Sequence, residues 1–135
     1  MVLGTDGIGA DMFEEARFAF FKGRDAGSPL GADDWLRVLA NNHQLASEQF
    51  GERFGTLDAG SPADLLVLDY QTPTPITPEN LAWHLTFAMN SSSVESVMVN
   101  GKFIIRERQS SLDEQSLSEQ ARNATEKLWK KLQTI

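Results

Sequence analysis

The dipeptide Asn100-Gly101 constrains this chain more than any other pair of residues. It separates two runs rich in β-branched and aromatic residues, 94–99 and 102–108. A two-residue type I′ turn needs positive φ at both central positions, and Asn followed by Gly meets that need best. An antiparallel hairpin is therefore expected over 94–108. Upstream, Ala63-Asp64-Leu65-Leu66-Val67-Leu68-Asp69 is an apolar run too short for a helix and bounded by turn residues and charges. It reads as a strand buried on both faces. Between them, Thr72-Pro73-Thr74-Pro75-Ile76-Thr77-Pro78 is extended, because each residue before a proline is pushed out of the helical region. Thr77 can then cap a helix over 78–89 with Pro78 at its first position. Strand 64–69, helix 78–89 and strand 94–99 form a β-α-β unit on this reading. As neighbours, its two strands would be parallel with a right-handed crossover.

The remaining elements are helical. Asp11 followed by Glu14 resembles a capping box, and Met12, Phe13, Ala16, Ala19 and Phe20 share one helical face over 11–22. Phe18 and Phe21 fall outside that arc, so this helix should be sandwiched between neighbours. Asp33 or Asp34 opens a second helix, which Asn41-Asn42 interrupts before a short piece over 43–50. Ser111 to Glu114 repeats the capping-box pattern. A long amphipathic helix follows, with Leu117, Ala121, Ala124, Leu128, Leu132 and Ile135 at helical spacing.

The 135 residues suit one domain, and 41% hydrophobic with 23% charged residues argues for a packed core. The net charge of −7 would repel a phosphate backbone, so no nucleic-acid partner is expected. Without cysteine there is neither a disulfide nor a thiolate metal site. No apolar run approaches a membrane span and the start lacks signal-peptide regions, so no membrane association and a cytoplasmic location are expected.

The chain opens with Val2-Leu3-Gly4-Thr5-Asp6-Gly7, a short apolar run broken by an acidic residue between glycines. A strand ending this way presents its carboxylate at a loop mouth. Followed by a helix, the stretch resembles the last barrel strand of the amidohydrolase superfamily. Gly55-Thr56-Leu57-Asp58-Ala59-Gly60-Ser61-Pro62-Ala63-Asp64-Leu65-Leu66-Val67-Leu68-Asp69 resembles that family's G-x-L-x-x-G-x-x-A-D-L-v-v-l-D signature. Val94-Glu95-Ser96-Val97-Met98-Val99-Asn100-Gly101-Lys102 is similar to the V-x-x-V-x-V-n-G-k hairpin that closes its small β-domain. The three occur in family order. Gly7 to Phe13 is similar to the aminohydrolase SsnA branch, near the chlorohydrolases and the guanine or cytosine deaminases.

The resemblance implies a mixed α/β fold: the last strand and helices of a (β/α)₈ metal-dependent hydrolase barrel, plus part of the small composite β-sandwich domain. It divides the chain into a barrel remnant (1–50), part of the small β-domain with a crossover helix (51–110) and a C-terminal amphipathic helix (111–135). It implies that Asp6 binds the catalytic metal, zinc or iron in a complete enzyme, and takes the proton from an attacking water. A whole barrel takes about 250 residues, however, and the family's His-x-His pair is absent here. The chain therefore reads as the C-terminal part of an amidohydrolase.

Asp6 has a plainer reading too, as a loop aspartate capping a turn. One carboxylate cannot hold a catalytic zinc or iron, which takes at least three protein ligands. His43 and His84, both on expected helices, read as satisfied or exposed side chains and not as ligands. Gly7-Ile8-Gly9 lacks the third glycine of a phosphate-cradling loop, because Met12 stands in its place. Two functions follow. The first is a fragment of a metal-dependent hydrolase of C–N bonds, of aminohydrolase or deaminase type, that is inactive and metal-free alone and meets a small-molecule substrate only in a complete enzyme. The second is a non-catalytic assembly or scaffold module. In either case the uncovered Phe18 and Phe21 face, the opening strand edge and the C-terminal stripe predict a homodimer or larger homo-oligomer. Alternatively, the C-terminal helix folds back over the phenylalanines.

Overall fold

The computed structural model describes residues 1–7 and 9–134. Ile8 of the glycine-flanked motif and Ile135 of the C-terminal stripe lie outside the described residues. Two helices lead, α1 (Met12–Asp25) and α2 (Ala32–Phe50). Strand β1 (Leu65–Leu68) follows, and then the short helix α3 (Leu81–Trp83), which runs into a π-helical turn, His84–Ala88. After a 3₁₀ turn (Ser91–Ser93) come β2 (Val94–Val99), β3 (Lys102–Arg106), β4 (Gln109–Ser110) and the terminal helix α4 (Glu114–Leu132). The class is mixed α and β, as expected.

The hairpin forms where the sequence places it. Asn100 and Gly101 adopt φ of 47° and 77°, and Val99 pairs with Lys102. The expected strand 102–108 is shorter than predicted. Glu107 and Arg108 take φ of 51° and 64°, a second tight reversal that turns the chain into β4. The Ser96 hydroxyl and the Glu95 carbonyl hold this reversal through the amides of Glu107 and Arg108.

The β-α-β expectation fails. All pairings in the four-stranded sheet are antiparallel, in the order β1-β2-β3-β4. Residues 70–93 make an excursion that returns to the end of β1 it left. The Asp69 amide donates to the Ser93 carbonyl (2.8 Å), which sets Leu68 opposite Val94. Arg108 clamps the same corner, donating to the Ser92 carbonyl (2.6 Å) and to the Asp69 carboxylate (3.0 Å). Nor is β1 buried on both faces: Leu66 is 51% exposed and Val67 46%.

The helix of the excursion starts at Leu81, not at Pro78. Asn80 closes the preceding turn with its side chain, accepting from the Thr77 amide and donating to the Pro75 carbonyl. Helix α2 begins at Ala32 with the Asp34 carboxylate accepting from the Gly31 amide, and it runs unbroken through Asn41-Asn42. In α4 the N-cap is Asp113, which accepts from the Ser116 amide, and not Ser111.

The core lies where α1, α2 and the π-helical turn meet the sheet. Ala16 and Phe20 of α1, Ala32 and Val38 of α2, and Ala82 and Met89 form its buried apolar part. A gap of about 130 Å³ remains among them, lined by Met12, Phe13, Leu36, Leu39, Leu66 and Leu85. This core is thin. The chain exposes 10134 Å², whereas a compact monomer of 15.0 kDa exposes about 7,000 Å². Helix α4 is a large part of the reason, since none of its residues is buried. It does not fold back over the α1 phenylalanines: Phe18 is 65% exposed and Phe21 53%.

Candidate active-site cleft at the N-terminal segment

Residues 1–5 belong to no helix or strand; the neighbour they find is a pair of side chains. Asn42 accepts from the Leu3 amide (3.1 Å) and donates to the Leu3 carbonyl (2.6 Å). Asn41 donates to the Met1 carbonyl (2.9 Å). The expected opening strand is thus replaced by an irregular segment held by side chains of α2. Asp6 then turns the chain at φ of 50° and is exposed. A non-glycine residue in the left-handed region stores about 1 kcal/mol or more, and such strain collects at functional sites.

Asp6 stands at a cleft of about 540 Å³ whose other wall is α1, through Glu14, Glu15, Arg17, Phe18 and Phe21. Two devices fix that wall. At its start, Asp11 caps the helix, accepting from the amides of Phe13 (2.8 Å) and Glu14 (3.2 Å). Burial pushes the Asp11 carboxyl up, but hydrogen bonds from the Ser91 hydroxyl and from the amides of Glu14, Phe13 and Ser91 outweigh it and hold it below the ordinary carboxylate value. One turn on, the Arg17 guanidinium donates to the carbonyls of Thr86 (3.0 Å) and Met89 (3.0 Å). Those carbonyls belong to the end of the π-helical turn, where backbone acceptors lack regular partners. Arg17 thereby ties the cleft wall to the segment that feeds the sheet.

An aromatic cluster continues from this wall. Phe20 meets Phe21, Trp83 and Phe87 edge-on at 5.1–6.0 Å, and Trp83 stacks on Phe87 at 5.5 Å. Its outer members are exposed.

The two histidines do not join Asp6. His84 is buried, with its Nδ1 2.7 Å from the Tyr70 hydroxyl and its Nε2 3.2 Å from that of Thr74. Both ring nitrogens are engaged, which makes His84 a structural pin for the excursion. His43 is exposed on α2, and its ring lies against Gly55. Among the described residues, no three His, Cys, Asp or Glu side chains are grouped so that they could hold a metal ion. Asp6 alone therefore does not fit a catalytic metal, and further ligands would have to come from outside these residues. Sequence reasoning missed Asn42 and Arg17. An asparagine pair inside an otherwise periodic helix was the available signal for the first; nothing local marks the second.

The cleft thus brings together the exposed acidic turn at Asp6 and the aromatic-rich helix α1 beside it. Residues 1–104 match the amidohydrolase family, and the chain belongs to that family. It is 33% identical over 127 residues to a 5-methylthioadenosine/S-adenosylhomocysteine deaminase of Pelotomaculum thermopropionicum, covering 88% of this chain and 29% of that protein. It is 32% identical over 139 residues to a 5'-deoxyadenosine deaminase of Methanoregula boonei, covering 98% of this chain and 30% of that one. An adenosine deaminase from Xanthomonas campestris, solved with bound zinc, shares the fold with a TM-score of 0.70 at 24% identity, over 88% of this chain and 28% of the other. The chain thus spans about three-tenths of the length of the curated relatives it matches.

Proposed function

We propose that this chain is the C-terminal part of a metal-dependent deaminase acting on the amino group of an adenosine modified at its 5' position. The observation that carries the reading is Asp6. It lies inside the segment matching the amidohydrolase family and is held exposed, with positive φ, at the mouth of the cleft. The substrate class comes from the names of the relatives. Asp6 is the metal-binding and catalytic carboxylate on this reading. When bound, zinc or iron supplies Lewis acidity toward water. Asp6 is suited to accept the proton of the water that adds to the ring carbon, as the amino group departs as ammonia. Arg17 and Asp11 fix the wall facing it. Residues 1–50 are then a remnant of the barrel, and 51–110 belong to the small β-domain. The exposed Phe18 and Phe21 face is where the rest of the domain packs.

The isolated chain is inactive and binds no catalytic metal on this account, since the other ligands are not in it. Elemental analysis for zinc and iron after dialysis tests this. Substoichiometric metal, unchanged in Asp6→Ala, is expected. One metal per chain, lost in Asp6→Ala, overturns it.

A further inference from the structure

We infer that α4 is a self-docking helix which joins two copies of this chain antiparallel about a two-fold axis. The helix lies beyond the residues 1–104 that match the family model, within the 98% of the chain aligned with the Methanoregula boonei deaminase, and none of its residues is buried. Glu114, Leu117, Ala121, Ala124, Leu128 and Lys131 recur at alternating spacings of three and four. That is the seam of a helix meant to lie along another helix. Both leucines are about half exposed in the single chain, Leu117 at 49% and Leu128 at 54%.

The seam reads the same in either direction once a partner is laid antiparallel. Leu117 falls opposite the partner's Leu128, Ala121 opposite the partner's Ala124, and Glu114 opposite the partner's Lys131. The two alanines at the centre let the helices approach closely. Opposite charges meet at both ends. Acid at the start and base at the end also suits the helix dipole. The dipole does not account for an apolar seam between them that mirrors itself about its middle. Self-complementarity of this kind is what an isologous two-fold interface requires, and it selects a second copy over an unrelated partner. The inference rests on α4 and is independent of the reading of Asp6.

Sedimentation equilibrium across concentrations, on the chain and on two charge variants, tests it. Glu114→Lys and Lys131→Glu should each weaken dimerisation by about tenfold, from two like-charge contacts per dimer. Mixing the two variants should restore it, because every end contact is then paired. Any loss of helix through the dipole persists in the mixture, so restoration separates pairing from helix stability. The chain has no cysteine, so introduced thiols report orientation cleanly. Leu117→Cys mixed with Leu128→Cys should cross-link on oxidation, and neither should do so alone. Leu117→Cys and its own copy would lie about 16 Å apart along the helices. A monomer mass throughout overturns the inference. So does a dimer indifferent to both charge reversals, or Leu117→Cys cross-linking to itself.

Discussion

The side-chain amide of Asn42 closes a two-bond ring on the backbone of Leu3, accepting from its amide at 3.1 Å and donating to its carbonyl at 2.6 Å. This is the exchange a neighbouring strand would make, performed by one residue of a helix. It holds the segment against α2 just ahead of the turn at Asp6. Asn42→Ala should release residues 1–6, and Asn42→Asp should weaken their hold only in part, because a carboxylate can still accept from the Leu3 amide but cannot donate to the Leu3 carbonyl. At about 0.5–1.5 kcal/mol per hydrogen bond, the loss in stability in Asn42→Ala should be about 1–3 kcal/mol. Hydrogen exchange at the Leu3 amide is the direct readout: fast exchange in Asn42→Ala is expected, and retained protection there would count against the pairing.

Gly55 is required for two separable reasons. Its φ is +76°, and a Cβ there would run into the ring and Cβ of His43. Gly55→Ala should destabilise by more than ~1 kcal/mol. His43→Ala in the same chain should relieve only the ring's share of the steric cost, because the His43 Cβ would still lie 2.6 Å from the new one, and should leave the backbone part. Chemical denaturation of the single and double variants measures the split. Equal midpoints for the wild type and Gly55→Ala would refute the close approach.

Gly101→Val should likewise lower stability by more than ~1 kcal/mol, since a β-branched residue is strained at φ of 77°. An unchanged unfolding midpoint would speak against the type I′ turn.

Asp11 makes the stability depend on acid. Its folded carboxyl is held below the ordinary value of 3.8. Its contribution is therefore complete above that value and fades as pH falls through the lower, folded one. Asp11→Ala should cost about 1 kcal/mol at neutral pH, the worth of a helix cap. It should also flatten the acid limb of a stability-against-pH curve. An acid limb of the same depth in both proteins would place the titration elsewhere.

What the sequence makes legible here is what neighbours in the chain decide. The Asn100-Gly101 turn, the Asp11 cap and the positions of α1 and β1 follow from residues within a few places of each other. The pairing of β1 with β2 does not. It depends on Asn80, Arg108 and the Asp69–Ser93 bond returning residues 70–93 to the end they left, and the sequence pattern suits a parallel crossover equally well. Asn41-Asn42 reads as a helix break because asparagine competes with backbone bonding. In the fold those amides reach across about forty positions to Met1 and Leu3. Asp6 stands out through its family pattern, while the residues that position its surroundings, Asn42 and Arg17, act over distances no local pattern encodes.

The central claim is that Asp6 completes a deaminase site when the rest of the domain is supplied. The direct measurement is ammonia release by a chimera in which this chain replaces the matching segment of the Pelotomaculum thermopropionicum deaminase, loaded with zinc and given 5-methylthioadenosine. The chimera should turn over, and Asp6→Asn in it should lower the rate by about 10²–10⁴-fold with its melting temperature unchanged. A folded, zinc-loaded Asp6→Asn chimera as fast as its parent would contradict the account.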